Sequence, residues 1–465
     1  MNTADIHSLM PLIILTAGSV LCLLAGAWKR GGYLYLFAAV ATAAALTWSL
    51  AVPQEATLPG LTISRFSRMT SAFLYACGML ALLLSWHGNR RRGIEGEEFP
   101  ATLLFALTGM GATCAASDLL MLFLGLEAFT FALYILVAIE PDSERGGEAG
   151  LKYLLNGTLS AATMAMGMAL LYVAGGTLKF SALAATLSIT DPLTLAGLGM
   201  TLLGLAFKLS LVPAHLWTPD VYQGAPAQVT ALLSTASKAA AVVALLLLLP
   251  LLSPWHGFRD IMWSLALLSL LAGNLAALLQ TSLKRMLAWS SIAQMGYVAL
   301  AFTAHTTGGA RAALFYVIVY ALAGLAAFAV LTVLSAEQER DDLAEWRGIG
   351  YSSPLAGFTL ATAMFSLAGI PPTAGFMAKL AVFSAALRGG EVALALTGIL
   401  SALISVYFYL RVVVLLYMKS ERADSPSPRR LLPADLPALV VPLAALLFLG
   451  IQPSPLLDII AAILP

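Results

Sequence analysis

About fourteen apolar runs, each roughly 20 residues long, follow one another along this chain. A run of that length crosses the hydrocarbon core of a bilayer as a helix, whereas a spanning strand needs only about 10 residues. With no water inside the bilayer, backbone groups must find partners within the chain, which restricts spanning segments to helices and closed barrels. Composition agrees: of 465 residues, 60% are apolar and 11% are charged, against about 25% charged in soluble domains. Folded in water, such a chain would expose far too much hydrocarbon. The sequence predicts an all-α integral membrane protein with spans at approximately 9–27, 33–51, 69–86, 100–116, 119–138, 150–174, 194–213, 228–250, 261–280, 286–303, 312–335, 355–385, 393–417 and 436–452.

Two spans carry internal punctuation. The seventh holds Pro213 after GLAFKLSLV and runs on into HLWTPDVYQGAP; the twelfth holds Gly369-Ile370-Pro371-Pro372, with Gly375 following. Proline lacks a backbone donor and clashes with the preceding turn, so both helices are expected to break there. Broken helices at membrane depth are tolerated where they line a polar cavity. The segments AFKLSLVP (206–213) and MFSLAGIP (364–371) align on Phe, Leu and Pro. They lie five spans apart, an odd number, so the second copy is inverted; paired broken helices in inverted repeats mark transporters.

Of the 25 Lys and Arg residues, 14 fall in loops after odd-numbered spans, 6 after even-numbered spans and 5 inside spans. The first group includes Lys29, Arg30, Arg90, Arg91, Arg92, Lys284, Arg285, Arg429 and Arg430. Positive residues stay cytoplasmic, so both termini are expected outside. Asp5 is the only charged side chain before the first run, and no basic segment precedes it; the first span is expected to be retained as its own insertion signal. A net charge of +1 with no basic block gives no reason to expect nucleic acid. Cys22, Cys77 and Cys114 lie in apolar runs without metal-ligand spacing. There is no glycine-rich phosphate loop, metal cluster or nucleophile constellation, so redox cofactors are expected in partners.

A charge at the bilayer centre costs about 2.5–3.5 kcal/mol on insertion scales, so each one requires a reason. Glu127 (span 5), Lys152 (span 6), Lys208 (span 7), Lys238 (span 8), Lys379 (span 12) and Arg411 (span 13) are such residues. One carboxylate and several lysines spread over many spans fit a chain of titratable sites better than a single pocket. Lys208 is of the class that would pair with Glu127. At about 4 Å and an effective permittivity near 20, the attraction would be on the order of 4 kcal/mol, enough to move a protonation equilibrium by about three decades. His215 follows the first break, and its ordinary titration range suits a proton relay. Lys238 shares a helical face with Thr230, Ser234 and Ser237; Lys152 shares one with Asn156, Ser160 and Thr163. Lys152 lies near its span end, where snorkelling to headgroups is the plain alternative. Ser290, Gln294 and Tyr297 form a third polar stripe in span 10, suited to holding water or to helix–helix hydrogen bonds. Arg411 does not release its proton in practice and reads as structural.

The runs SDLLMLFLGLEAFTFALYILVAI, EAGLKYLLNGTLSA, GLAFKLSLVPAHLWTPDVYQGAP, LKRMLAWSSIAQMGY and SLAGIPPTAGFMAKLAVF, within residues 100–420, resemble subunit N of respiratory complex I, the proton-pumping NADH–quinone oxidoreductase. The wider family is the antiporter-like group, with subunits L and M and the multisubunit cation/proton antiporters. The resemblance implies two inverted five-helix repeats, spans 4–8 (residues 100–250) and 9–13 (251–418), after an N-terminal segment (1–99) and before a C-terminal loop and last helix (419–465). It implies Glu127 and Lys208 as a coupling pair, Lys238 as the central lysine, Lys379 as the outlet lysine, and Lys152 as a match for a lysine of the sixth span. Proton transfer would then use Glu127, Lys152, Lys208, His215, Lys238 and Lys379. Lysine at 379 departs from the glutamate of subunit M, and the long lateral helix of subunit L is missing. The resemblance places NADH, FMN, iron–sulfur clusters and quinone in partner subunits, with M-type and small membrane subunits as neighbours in a bacterial inner membrane. A cation/proton antiporter, or a related complex driven by ferredoxin, deazaflavin or hydrogenase, is the alternative. A lysine-rich interior argues against a sodium site, because hard cations take oxygen ligands.

Overall fold

The computed structural model describes residues 3–52, 55–94, 96–304, 306–335, 340–418 and 431–464. Part of the expected 419–465 segment, including Arg429 and Arg430, lies outside them, as does part of the charge-rich stretch 337–347 between the eleventh and twelfth expected spans. Within these limits the chain is helical apart from one hairpin, Ala56–Leu58 with Leu61–Ile63, which turns at Gly60 with φ +78°.

Among the described residues, 11 helices are long and apolar enough to cross a membrane, or 12 with the bent pair Asp435–Ile451 and Ser454–Ile463 counted as one span. Two further stretches read as spans from the sequence are Glu98–Ala115, of 18 residues with Glu98 in its first turn, and the broken pair Pro354–Ala368 and Ala374–Arg388. A short helix that the periodicity did not announce, Phe180–Thr186, precedes the seventh span.

Both anticipated breaks are present. The seventh span is the helix Pro192–Leu209, ending at Ser210 with φ 57°, and the chain resumes as Trp217–Gly224. Asp191 caps its start: the backbone amide and hydroxyl of Thr194 donate to its carboxylate and hold that carboxyl below its ordinary range. The twelfth span ends its first half at Ala368, with Gly369 in the left-handed region at φ 83°. Its second half returns so closely that a Cβ on Gly375 would stand 1.7 Å from the carbonyl oxygen of Ser366.

A third break was not expected. The eighth span divides into Ala227–Ser234 and Ala236–Leu252. The hydroxyls of Ser234 and Thr235 both turn back to the carbonyl of Ala231, a side-chain competition that bends helices.

The chain forms two compact units. The first contains Met1–Leu82, Gly93–Leu209 and Ala236–Phe258; the second contains Leu83–Arg92, Ser210–Thr235 and Arg259–Pro465. In the first unit, Glu98–Ala115 packs on Leu119–Val137, and Glu144–Gly175 on Pro192–Leu209. Bare glycine backbone permits the first contact: a Cβ on Gly109 would lie 2.6 Å from the amide nitrogen of Phe129. Small residues at such crossings let membrane helices approach on backbone contact. In the second unit the almost wholly buried helices Leu283–Thr303 and Thr307–Leu334 pack together, and Thr307–Leu334 also meets both halves of the twelfth span.

Candidate functional sites at the helix breaks

In the first unit, the helix Leu119–Val137 carries Glu127 and, one turn on, Thr130. The helix Pro192–Leu209 carries Lys208 in its last turn, directly before the break. Lys208 Nζ donates to Glu127 Oε1 at 2.8 Å and to Thr130 Oγ1 at 2.7 Å. The Thr130 hydroxyl gives its own proton to the Leu126 carbonyl, so its oxygen faces the lysine as an acceptor. Both charged side chains are at least nine-tenths buried. At 2.8 Å, their gross attraction is on the order of 6 kcal/mol at an effective permittivity near 20, opposed by the cost of removing both charges from water.

Lys238 completes this cluster. It is fully buried in the helix Ala236–Leu252, and its Nζ donates to the backbone carbonyl of Lys208 at 3.1 Å. The polar stripe read from the sequence is interrupted: the break at Thr235 leaves Thr230 and Ser234 in the second unit and Lys238 in the first.

Lys152 is not part of this cluster. Its helix starts at Glu144, so Lys152 lies more than two turns in, not near the end. Its side chain is 42% exposed and pairs with Glu148 at 2.7 Å on the same helix.

In the second unit, Lys379 sits in the half-helix Ala374–Arg388 and reaches back to the first half. Its Nζ donates to the Ala368 carbonyl at 2.8 Å and lies 5.0 Å from the ring centre of Tyr297, within cation–π range. Gly369 is required twice here, for its positive φ and because a Cβ would stand 2.7 Å from Lys379 Cδ. The neighbouring orphan carbonyl, Leu367, accepts from Gln294 Nε2 at 3.0 Å. Gln294 also donates to the Tyr409 hydroxyl at 3.0 Å and accepts from Tyr316. His215, after the first break, is buried against Trp289 with ring centres 5.4 Å apart. Arg411 donates to the Gln280 carbonyl at 3.1 Å, as a structural residue would.

The family described as NADH:quinone oxidoreductase/Mrp antiporter, TM, matches residues 116–405. A chain of Geotalea uraniireducens named NADH-quinone oxidoreductase subunit N is 50% identical, with 100% of both chains covered. The protein of the same name from Geobacter metallireducens is 47% identical, again over 100% of both. The chain belongs to the subunit N family of the NADH–quinone oxidoreductases. Among solved structures, a chain of respiratory complex I from Thermus thermophilus is similar at TM-score 0.84 and 33% identity, covering 96% of this chain and 98% of that one. A chain of the Mrp complex from Dietzia sp. shares the fold at TM-score 0.85 but only 20% identity, over 100% of this chain and 97% of that one.

As a subunit N, the chain is a membrane component of a translocase, and its ionisable interior is larger than the sequence revealed. Lys284, counted above as a loop charge, is buried in the first turn of Leu283–Thr303, with Nζ 2.5 Å from the Ala225 carbonyl. Its neighbour Arg285 pairs with Asp220 at 2.7 Å, and both are about one-third exposed. The basic pair Lys284-Arg285 looked like a loop because charge patterning cannot separate two adjacent cations that fold to opposite environments. The role of Gln294 was half visible, as a polar stripe; its hold on Leu367 needed the break in three dimensions.

Proposed function

We propose that this chain is the proton-translocating membrane subunit of a bacterial inner-membrane NADH–quinone oxidoreductase, with both termini extracytoplasmic. Electron transfer through NADH, FMN, iron–sulfur clusters and quinone belongs to partner subunits, and M-type and small membrane subunits adjoin this one. The observation that carries the reading is the buried Lys208–Glu127 ion pair beside a helix break, with the Lys238 amine on the Lys208 carbonyl.

The chemistry follows from the geometry. While Glu127 stays close, it holds Lys208 as the ammonium. When the carboxylate withdraws, the neutral Thr130 hydroxyl remains as an acceptor of that charge, and Lys208 gives up one proton. Lys238, bonded to the Lys208 backbone, is the next lysine in the proposed order, and Lys379 is the outlet. Lys152 and His215 belong to the set as accessory proton-transfer residues. Each hop moves one proton and no electron, so no redox group is needed in this chain. The donor set fits a proton better than a metal cation: one carboxylate among lysines offers few anionic oxygens.

The test is proton pumping by the intact complex in sealed vesicles. Lys238→Ala is expected to lower protons moved per quinone reduced while the subunits still co-purify. Unchanged pumping in an assembled complex would remove Lys238 from the path. Orientation is tested separately: reporters fused at Arg91 and Pro465 should report opposite sides of the membrane.

A further inference from the structure

Buried hydroxyl groups in folded proteins almost always have hydrogen-bond partners, and one that has none calls for an explanation. Tyr134, on the helix Leu119–Val137, carries such a group. The residue is 6% exposed, and its buried hydroxyl has no hydrogen-bond partner.

Packing alone does not call for the hydroxyl. The Tyr134 ring meets that of Tyr153 edge-on, with centres 4.7 Å apart, and that of Phe131 at 5.7 Å. A phenylalanine would keep both contacts without burying a polar group. The facing helix, Glu144–Gly175, also leaves room for the oxygen. Residue 157 is a glycine, and a Cβ there would stand 1.8 Å from the Tyr134 hydroxyl oxygen. Glycine inside a helix is less favourable than alanine, so the space is kept at some cost.

The position of Tyr134 points to the acceptor. Seven residues turn an α-helix through about 700°, which puts Tyr134 within about 20° of the face that carries Glu127, two turns away. An aromatic side chain on a helix leans back over the turn N-terminal to its own Cα, and Tyr134 meets Phe131, three residues back. That lean brings the phenol towards Thr130 and Glu127, and Glu127 is the charged residue whose field reaches the Tyr134 hydroxyl. Here the carboxylate is held by Lys208 at 2.8 Å. Once released it needs another donor, because a buried carboxylate without one is very costly. The Thr130 hydroxyl has already given its proton to the Leu126 carbonyl. Tyr134 holds a proton that no acceptor takes.

We propose that Tyr134 is a positioning residue of the switch, whose hydroxyl receives the Glu127 carboxylate when that carboxylate leaves Lys208. The inference rests on the proposed function, in which Glu127 withdraws. The carboxylate then moves between two donors, Lys208 on the neighbouring helix and Tyr134 on its own. Tyr134 keeps its proton throughout and shares it in a hydrogen bond; no covalent bond changes and no electron moves.

Tyr134→Phe, measured in the intact complex in sealed vesicles, deletes the hydroxyl and keeps the ring. Proton pumping is expected to fall roughly tenfold, the order of losing one hydrogen bond to a charged group. The melting temperature of the complex is expected to hold or rise, because an unpartnered buried group has been removed. The same change made on Glu127→Gln should cost nothing further, since the carboxylate it serves is gone. Wild-type pumping by Tyr134→Phe, or an equal fall on the Glu127→Gln background, overturns the proposal. Should Tyr134→Phe not assemble, Tyr134→Met decides by the same criteria, and failure of both to assemble would mark a structural residue and overturn it too. Normal pumping by Glu127→Gln itself would instead sink the switch on which the inference rests, whereas a block there with wild-type pumping by Tyr134→Phe removes only the role of Tyr134.

Discussion

At the first break, Lys208 belongs to the half-helix that ends there and is met by the carboxylate of Glu127 across the unit. At the second, Lys379 belongs to the half-helix that begins there and reaches back to a backbone carbonyl, over the face of Tyr297. The sequence echo pairs Lys208 with Ser366, not with Lys379, so the two lysines are not copies of one position. A carboxylate on a side chain moves away when its helix shifts, and its charge changes the lysine's protonation directly. A backbone carbonyl at a helix end is fixed and only partly charged. The first arrangement suits a switch, and the second suits a relay whose setting changes little.

If that contrast is right, the largest effect should come from breaking the switch. Lys208→Met strands Glu127 in a buried site, and removing one partner of a buried pair costs about 3–5 kcal/mol. Coupled turnover and pumping are expected to fall at least tenfold in assembled complex. A loss no larger than that of a relay variant would erase the distinction between the breaks.

A smaller effect is expected from Gly369→Ala. A side chain at positive φ costs about 1–2 kcal/mol, and the new Cβ would press on the Lys379 stem at 2.7 Å. Pumping should fall several-fold, with lower thermal stability of the complex. An unchanged pumping ratio would mean that the exact seat of Lys379 is unimportant. Gln294→Met should act more weakly in the same direction. It leaves the Leu367 carbonyl and the Tyr316 hydroxyl without their partner, at about 1–3 kcal/mol per unmet buried group, while Lys379 keeps its own contact. A melting curve with a pumping assay separates lost stability from lost transfer.

The smallest change is expected at Lys152. Its pairing with Glu148 on an exposed helix face resembles i,i+4 pairs worth about 0.3–0.5 kcal/mol. Lys152→Ala should lower pumping less than any variant above. A loss as large as at Lys208 would place a second switch on this helix.

Much of this contrast was legible in the sequence. Apolar run length gave the class, because only one kind of segment satisfies its backbone in hydrocarbon. The prolines at 213 and 371–372 marked the breaks, and the rarity of charge within spans singled out Glu127, Lys208, Lys238 and Lys379. Other features were not legible for physical reasons. The interruption at Thr235 coincides with hydroxyls that bond Ala231, and the run LLSTASK shows those hydroxyls but not where they turn. The burial of Lys284 beside the one-third-exposed Arg285 involves the Ala225 carbonyl, 59 residues away in the chain. Lys152 looked near a span end because hydropathy begins at residue 150, whereas its helix, capped by Ser143, begins at Glu144.

The central claim is that Glu127 and Lys208 act as one unit, and a double-mutant cycle on pumping tests it most directly. Glu127→Gln, Lys208→Met and the double variant would be compared in assembled complexes reconstituted into sealed vesicles. Each single change leaves a lone ionisable group in a low-dielectric site, while the double change removes both. The account predicts strong non-additivity, with the double variant losing much less than the sum of the singles. Independent sites add to within about 0.5 kcal/mol. Additive losses in assembled complexes would contradict the switch.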